Sequence, residues 1–356
     1  MTTALALPST EEEIWRYSRI NELDMSKFAI GQISTSVEGA DGVQVDVANA
    51  KTLIGAGMHV QPDVFAQLNT DNAEVIALHI AKNKVHSQTV VITHSVDKSG
   101  VVAYPRLVID AAENSEIVVV ERFTSADNVH SLVVPVVEVR AAQSARVTYL
   151  AINELGKNTW QIGHQVAVGE RDSNVRMFTV ALGGDYARVR AEVRLVGQGA
   201  SAQQTALYFA DGSQMHDFRT LQSHEAPRTH SDLLFKGAVK DTSKSVYTGL
   251  IKITENGTKT EAFQTNRTLT LSRGAWAESV PNLEIETNDV KCSHASTVGP
   301  IDDDQRFYLE SRGVPPEIAE RLVVFGFFDE VIDRLPQSEF LEGIREKVIA
   351  KLGGAK

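Results

Sequence analysis

Four segments of the chain repeat one pattern, a small polar turn containing a serine followed by an apolar strand: ENSEIVVVE (113–121), AQSARVTYLA (142–151), RDSNVRMFTV (171–180) and GASAQQTALYF (199–209). The serines are Ser115, Ser144, Ser173 and Ser201, which are separated by 29, 29 and 28 residues. A regular period of this size, with β-branched residues in each unit, is typical of a β-solenoid. An all-β sandwich with serines spaced by chance is the alternative.

The valine-rich pattern extends from about residue 90 to 286, and no convincing amphipathic helix interrupts it. We predict a mainly β fold with a parallel β-helix core. The next similar turn is at Ser243, 42 residues after Ser201. This spacing predicts an insertion, the polar stretch 211–232, which we interpret as a solvated hairpin. Its histidines, His216, His224 and His230, match no metal-ligand spacing.

Helices are predicted at both ends of the chain, giving three regions: residues 1–85 (partly helical), 86–300 (β-helix core) and 301–356 (helical). Asp302 is placed to cap a first C-terminal helix. Pro315 and Pro316 open a second one, because proline is tolerated in the first turn of a helix. Ser338 is predicted to begin a third helix, which ends at Gly353 and Gly354.

Charge and composition limit the function classes. The formal net charge is −11, which disfavours nucleic acid as a partner. No apolar run approaches the roughly 18 residues that span a bilayer. The N-terminus turns acidic at once, unlike a secretory signal, so a cytoplasmic location is expected. There is one cysteine, Cys292, which excludes an internal disulfide and a four-cysteine metal site within one chain.

Cys292 and His294 are the best candidate metal ligands. On a strand, residues two apart point to the same face, so this thiol and imidazole can share one metal or cluster. Two ligands do not complete a site, so a partner must supply the rest. The alternative is a small buried cysteine beside a hydrogen-bonded structural histidine.

The sequence carries no P-loop, no GxSxG and no HExxH motif, so we predict a protein that is not itself an enzyme. Two alternatives remain open. One is a β-helix carbohydrate-active enzyme that uses carboxylates such as Glu261, Glu284 and Glu286. The other is a solenoid interaction module without a metal.

The second C-terminal helix contains LVVFGFF (322–328), whose side chains are apolar in every direction around the helix axis. Such a helix requires a second neighbour beyond the core it packs on. That neighbour is either the third helix or another protein chain.

The run LEIETNDVKCSHASTVGPIDDDQRFYLESRGVPPEIAERLVVFGFFDEVIDRL (283–335) closely resembles the C-terminal signature of the SufB/SufD family of iron–sulfur cluster assembly proteins. Shorter matches are EIWRYSRI (13–20), FAQLNT (65–70), PRLVI (105–109), KGAVKD (236–241) and EAFQTNRTLTLS (261–272). The resemblance is to SufD more than to SufB, because KCSHASTVG stands where SufB types carry a glutamate-rich EHEA sequence.

This resemblance implies a right-handed parallel β-helix that acts as a scaffold in the Suf system. The implied partners are SufB, joined through the β-helices, and two copies of the ATPase SufC. No cofactor is expected on the isolated chain, which can also form a homodimer; a transient Fe–S cluster is shared with SufB at His294 and Cys292. Neither nucleic acid nor a membrane is an expected partner. The residues that the resemblance assigns to SufC docking are Phe307, Tyr308, Arg312, Leu322, Phe325, Phe327 and Phe328.

Overall fold

In the computed structural model, which describes residues 6–58, 60–336 and 339–353, the chain is a parallel β-solenoid with helices near both ends. The strands of the described residues are β1 Ala29–Ile30, β2 Ser34–Glu38, β3 Glu74–Ile80, β4 Val90–Val96, β5 Val101–Ala103, β6 Pro105–Ala111, β7 Glu116–Ser125, β8 Ser131–Val133, β9 Val136–Ala141, β10 Arg146–Glu154, β11 Thr159–Gly169, β12 Asn174–Ala181, β13 Tyr186–Leu195, β14 Ser201–Ala210, β15 Met215–His224, β16 His230–Val239, β17 Lys244–Ile253, β18 Thr260–Thr270, β19 Trp276–Ile285 and β20 Val290–Gly299. The helices are α1 Val47–Ala50, α2 Val64–Asn72, α3 Asp303–Ser311, α4 Pro316–Ile332 and α5 Phe340–Lys351, with 3-10 helices at Glu13–Trp15, Ile20–Glu22, Met25–Lys27 and Lys51–Leu53.

The strands form two sheets that face each other across the solenoid interior. One sheet runs β2-β4-β7-β10-β12-β14-β16-β18-β20, and we call it the first sheet. The second sheet runs β1-β5-β8-β11-β13-β15-β17-β19, with β3, β6 and β9 joined to it. From β10 onward, each strand pairs in parallel with the strand two positions later. The predicted mainly β fold with stacked coils is therefore confirmed.

The repeated serines lie at the corners where the chain enters the first sheet. The hydroxyl of Ser115 donates to the carbonyl of Ala112 (2.6 Å), and that of Ser173 donates to the carbonyl of Glu170 (2.7 Å). Both serines are buried, so the hydroxyl satisfies a turn carbonyl that water cannot reach. The equivalent positions of the other two coils are Ala145 and Ala200, so this hydroxyl bond forms in alternate coils, while the backbone turn bond to the carbonyl three residues earlier forms in all four.

The predicted insertion at residues 211–232 is wrong. Ser201 pairs with His230, 29 residues later, so the coil continues without a slip. Ser243 precedes β17, a strand of the second sheet, whereas the other four serines precede or begin strands of the first sheet. The spacing from Ser201 to Ser243 therefore does not measure one coil. The polar stretch forms β15 and the start of β16, and His216 and His224 are fully buried. The polar side chains are tolerated inside because neighbours bond them: the His224 ring lies between the hydroxyls of Thr229 (2.7 Å) and Ser231 (2.8 Å).

The interior changes character along the solenoid axis. In the N-terminal coils it is aliphatic, with residues such as Ile109, Val119 and Val147 in one cluster. Towards the C-terminal end it becomes aromatic and polar, and Tyr208 and Tyr247 are fully buried there. Buried tyrosine requires a partner for its hydroxyl: that of Tyr208 bonds to Asn266 and Thr268, and that of Tyr247 bonds to Thr220.

A buried ion pair fastens the N-terminal region to the solenoid. The Arg106 guanidinium contacts the carboxylate of Glu138, and both side chains are inaccessible to solvent. Glu138 Oε2 also accepts backbone N–H bonds from Gly55 (2.9 Å), Gly57 (3.0 Å) and Met58 (3.0 Å). This satisfied network anchors the segment before α2.

The C-terminal helices cover the outer face of the first sheet. Val324 and Phe328 of α4 are buried in one cluster with Phe178 and Phe209 of the strands. The predicted cap is present, since Asp302 Oδ1 accepts from the backbone N–H groups of residues 304 (2.9 Å) and 305 (3.2 Å). Helix α4 begins at Pro316 as predicted, while Ser338 and Gly354, the predicted bounds of the third helix, lie outside the described residues.

Candidate functional site

The last coil of the solenoid has an open edge. Among the described residues, β20 pairs only with β18, and β19 pairs only with β17. The outer backbone groups of both strands therefore lack a neighbouring strand. Such an edge is a template for pairing with another chain.

Both candidate ligands lie on this edge, on the side of β20 that faces the solenoid interior. Cys292 is in register with Ala262, and His294 is in register with Gln264. Those partners are buried, and inward positions alternate along a strand, so Cys292 and His294 share the inward face. No further coil covers them within the described chain, and this leaves His294 exposed.

The environment of Cys292 is partly apolar. Its side chain is half-buried against Ile251, Ile253 and Ala262. Burial raises the pKa of the Cys292 thiol. A thiol must lose its proton to bind a metal, so ligation by Cys292 becomes more favourable as the pH rises.

Gln264, which the sequence analysis did not single out, lies one coil beneath His294. Its side chain is buried, and neither carboxamide atom has a hydrogen-bond partner in the described part of the chain. A buried unpaired amide is costly, but among the described residues Gln204 and Gln222 also have an unpaired carboxamide oxygen, so this feature is not confined to the open edge. In the sequence, Gln264 could have been recognised only from its place in the strand EAFQTNRTL (261–269), where alternation puts it on the inward face.

The donor set suits an iron–sulfur cluster as cargo but does not complete a site. A thiolate and an imidazole are both ligands of such clusters. In residues 6–58, 60–336 and 339–353, no group of three or more His, Cys, Asp or Glu side chains could hold a metal ion. The geometry therefore presents two donors at an open edge, where further ligands can approach.

The carboxylates considered for glycoside cleavage lie in ion pairs. Glu261 accepts from Lys291 (2.6 Å), and Glu284 accepts from Lys252 (2.5 Å). The hydrogen bond and charge of Lys291 hold the pKa of Glu261 below its usual range. An ionised, paired carboxylate is a poor general acid, which weighs against the carbohydrate-active alternative.

The residues predicted for SufC docking divide into three groups by exposure. Phe307, Tyr308 and Leu322 are exposed by 70 %, 56 % and 50 %, and the Arg312 guanidinium lies over the Tyr308 ring at 4.6 Å. Phe325 and Phe327 are half-buried, beside Arg345 and Lys236. Phe328 is fully buried with its ring 6.1 Å from that of Phe209. Phe328 therefore belongs to the core of this fold and not to its surface.

A cleft of about 1030 Å³ connects the open edge with this helical surface. It lies between β18, β20 and the α3–α4 pair, and its lining includes Thr297, Tyr308, Leu322 and Phe327. Only three residues, 300–302, separate the end of β20 from the start of α3. The helices and the strand that carries His294 are therefore joined by a short connection.

Fold and site together define a class of protein: an open-ended parallel β-solenoid that carries a thiol and an imidazole on its terminal coil and an exposed aromatic surface beside it. Within the described residues, no helix is long and apolar enough to cross a membrane.

The chain belongs to the SufBD family, and this membership supports a role in iron–sulfur cluster assembly. Residues 91–327 match the family model described as "SUF system FeS cluster assembly, SufBD core domain". An iron–sulfur cluster assembly SufBD family protein of Mycobacterium tuberculosis is 35% identical, over 98% of this chain and 89% of the relative. The cluster assembly protein SufD of Escherichia coli is 27% identical over the same shares, and SufD of Bacillus subtilis is 29% identical over 77% of this chain and 62% of its own length.

Proposed function

We propose that this chain is a non-catalytic scaffold subunit of a cytoplasmic SufB–SufC–SufD complex, in which it holds half of a cluster-forming interface. The observation that carries the proposal is the open edge of β20, where Cys292 and His294 face an interior that no further coil of the described residues closes. A second solenoid, that of SufB, adds its own strands and ligands there. The nascent cluster then forms between the two chains.

The exposed surface of Phe307, Tyr308 and Leu322 supports docking of the ATPase SufC. Half-exposed aromatic and aliphatic side chains next to an arginine have the composition of interface hot spots. Closure of SufC on ATP would displace α3 and α4 and pull on β20 through residues 300–302. The two sites are thus coupled by a shear movement at the interface with SufB.

The experiment is co-expression of the chain with its SufB and SufC, followed by affinity purification. We expect one stable complex, and separate elution of this chain would contradict the scaffold role. His294→Ala should lower cluster formation in the complex, measured anaerobically by the visible absorption of bound cluster, without lowering complex yield. His130→Ala, an exposed histidine far along the chain, is the matched control. Equal cluster formation in both variants would remove His294 from the site and leave the scaffold role intact.

A further inference from the structure

A second polar recess lies on the outer face of the second sheet, away from the cluster edge. It is a cavity of about 80 Å³ between the N-terminal segment and strands β13, β15, β17 and β19. We call it the arginine cavity, and its polar lining includes Glu13, Arg16, Arg188, Asp217, Arg219 and Thr248.

Arg188 and Arg219 line this cavity from adjacent strands, and Arg190 stands beside Arg219 in the strand register; Arg188 and Arg190 are neutralised. Arg188 is held by the Asp217 carboxylate and donates to the carbonyl of Ile14 (2.6 Å). Arg190 is paired with Glu192. Both guanidinium groups are therefore already paired with a carboxylate.

Arg219 is the third arginine, and it is not neutralised by contact. It stands in register with Arg190 on the neighbouring strand, and like charges in that position repel. Arg219 is half-buried, and it makes no hydrogen bond or ion pair with any described residue. Burial and the charges of Arg188 and Arg190 lower the pKa of Arg219, and the carboxylates of Asp217 and Glu13 offset this only in part.

Two further donors, which have no side-chain partner among the described residues, line the cavity with Arg219. Thr248 is directly in register with it on β17, and the Thr248 hydroxyl has no bonding partner within the described residues. The exposed Arg16 side chain lines the same cavity from the N-terminal segment. Two carboxylates of the lining oppose an anion: that of Glu13 is exposed, and that of Asp217 is already paired with Arg188.

We propose that the arginine cavity binds a tetrahedral oxyanion of the phosphate type, held by the guanidinium groups of Arg219 and Arg16 and the hydroxyl of Thr248. Planar guanidinium groups match the geometry of phosphate oxygens, and such charge-assisted bonds are strong where water is partly excluded. The volume is several times the 10–15 Å³ or so that one water needs, so an anion of five heavy atoms fits. The site is independent of the proposed scaffold function.

The phosphate has two sources, free inorganic phosphate or the phosphate of a nucleotide. Tyr17 lines the cavity, and its ring lies 6.4 Å from that of Trp276, with both side chains about 40 % exposed. An exposed aromatic pair beside an anion site offers a surface on which a base can stack.

Calorimetric titration of the full-length chain with inorganic phosphate and with AMP, at constant ionic strength, tests the proposal. We expect saturable phosphate binding that weakens at least tenfold in Arg219→Gln, is unchanged in Arg171→Gln, and strengthens in Glu13→Gln. Arg171 is an exposed arginine paired only with its neighbour Asp172, so it controls for the loss of one positive charge. AMP binding more than tenfold tighter than phosphate binding identifies the nucleotide as the source, and equal binding identifies the free anion.

Thr248→Val provides a second variant, since it removes one donor without changing the charge. It should weaken phosphate binding while the thermal unfolding temperature without phosphate stays unchanged. The proposal is overturned by an absence of binding of either ligand to the wild-type chain. It is equally overturned if the Arg219→Gln and Thr248→Val variants both bind as the wild type does.

Discussion

Because two histidines are buried, we expect the free energy of unfolding of this solenoid to fall as the pH is lowered, well before the carboxylates are fully protonated. His216 and His224 lie in the interior and are completely buried. Burial lowers the pKa of each to about 4, assisted by the positive charge of Lys351 for His216 and of His230 for His224. In the unfolded chain both rings titrate near about 6.5. The unfolded state therefore binds more protons between these values, and stability present above pH 6.5 is lost as the pH falls towards 4.

The size of the effect follows from the shift of the pKa. At about pH 5 nearly every ring in the unfolded chain is charged, while the folded rings are mostly neutral. The free energy of unfolding is therefore lower at pH 5 than at pH 7.5 by about 2 kcal/mol per histidine. Together the two histidines lower the free energy of unfolding by about 4 kcal/mol. This is a large part of the stability of a typical domain, which is about 5–15 kcal/mol.

The assay is urea unfolding at pH 7.5 and pH 5, followed by circular dichroism. Carboxylates also contribute to the pH dependence, but they cancel when variants are compared with the wild type. In His224→Gln the difference between the two free energies of unfolding should shrink by about 2 kcal/mol. His130→Gln, at an exposed position, should leave it unchanged. The reasoning is refuted if the His224→Gln and wild-type chains show the same pH dependence.

Other substitutions separate folding from partner binding. Phe328→Ala should lower the free energy of unfolding, measured in urea, by about 3–5 kcal/mol. Leu322→Glu should leave unfolding nearly unchanged and abolish co-purification with SufC. The reverse result would mean that the surface and core of α4 are misassigned. Gly237→Ala should destabilise the chain in the same assay by about 1–3 kcal/mol, because an added Cβ would lie 1.8 Å from Tyr208 Cε2. In a chain that also carries Tyr208→Ala, Gly237→Ala should cause a smaller loss. An equal loss in both backgrounds would contradict the proposed clash. Glu138→Gln should cost about 3–5 kcal/mol, because it leaves Arg106 charged and buried; a variant as stable as the wild type would show that Arg106 finds another partner.

The fold was predictable where a local interaction repeats. The backbone N–H groups of residues 115, 145, 173 and 200 each donate to a carbonyl three residues earlier, so the turns that precede strands of the first sheet leave a periodic mark on the sequence. The coil from residue 211 to 232 was not predictable, because its polarity has a long-range cause. His216 donates to the carbonyl of residue 183, 33 positions earlier, and hydropathy alone cannot distinguish such a buried ring from a solvated one.

For the candidate site, the sequence predicts that the two ligands share one face of a strand, but it does not predict their exposure or their neighbours. Cys292 and His294 could be placed on one face from their spacing alone. The exposure of His294 and the unpaired amide of Gln264 depend on β20 being the last strand of its sheet. In the same way, the assignment of Phe328 to a docking surface is not supported, because an apolar run on a helix does not reveal which side the sheet covers.

The open edge also restricts which assemblies can coexist. The last coil leaves Leu283, Ile285 and Val298 about 40 % exposed, so association at this end gains apolar burial as well as strand pairing. A strand edge accepts only one further strand, so a homodimer formed through β20 and a complex with SufB formed through β20 exclude each other. We therefore expect light scattering to show dimers of the isolated chain that disappear as SufB is added, and one copy of this chain per SufB. A stable complex that retains two copies of this chain joined through β20 would show that SufB binds elsewhere and that the cluster interface is misplaced.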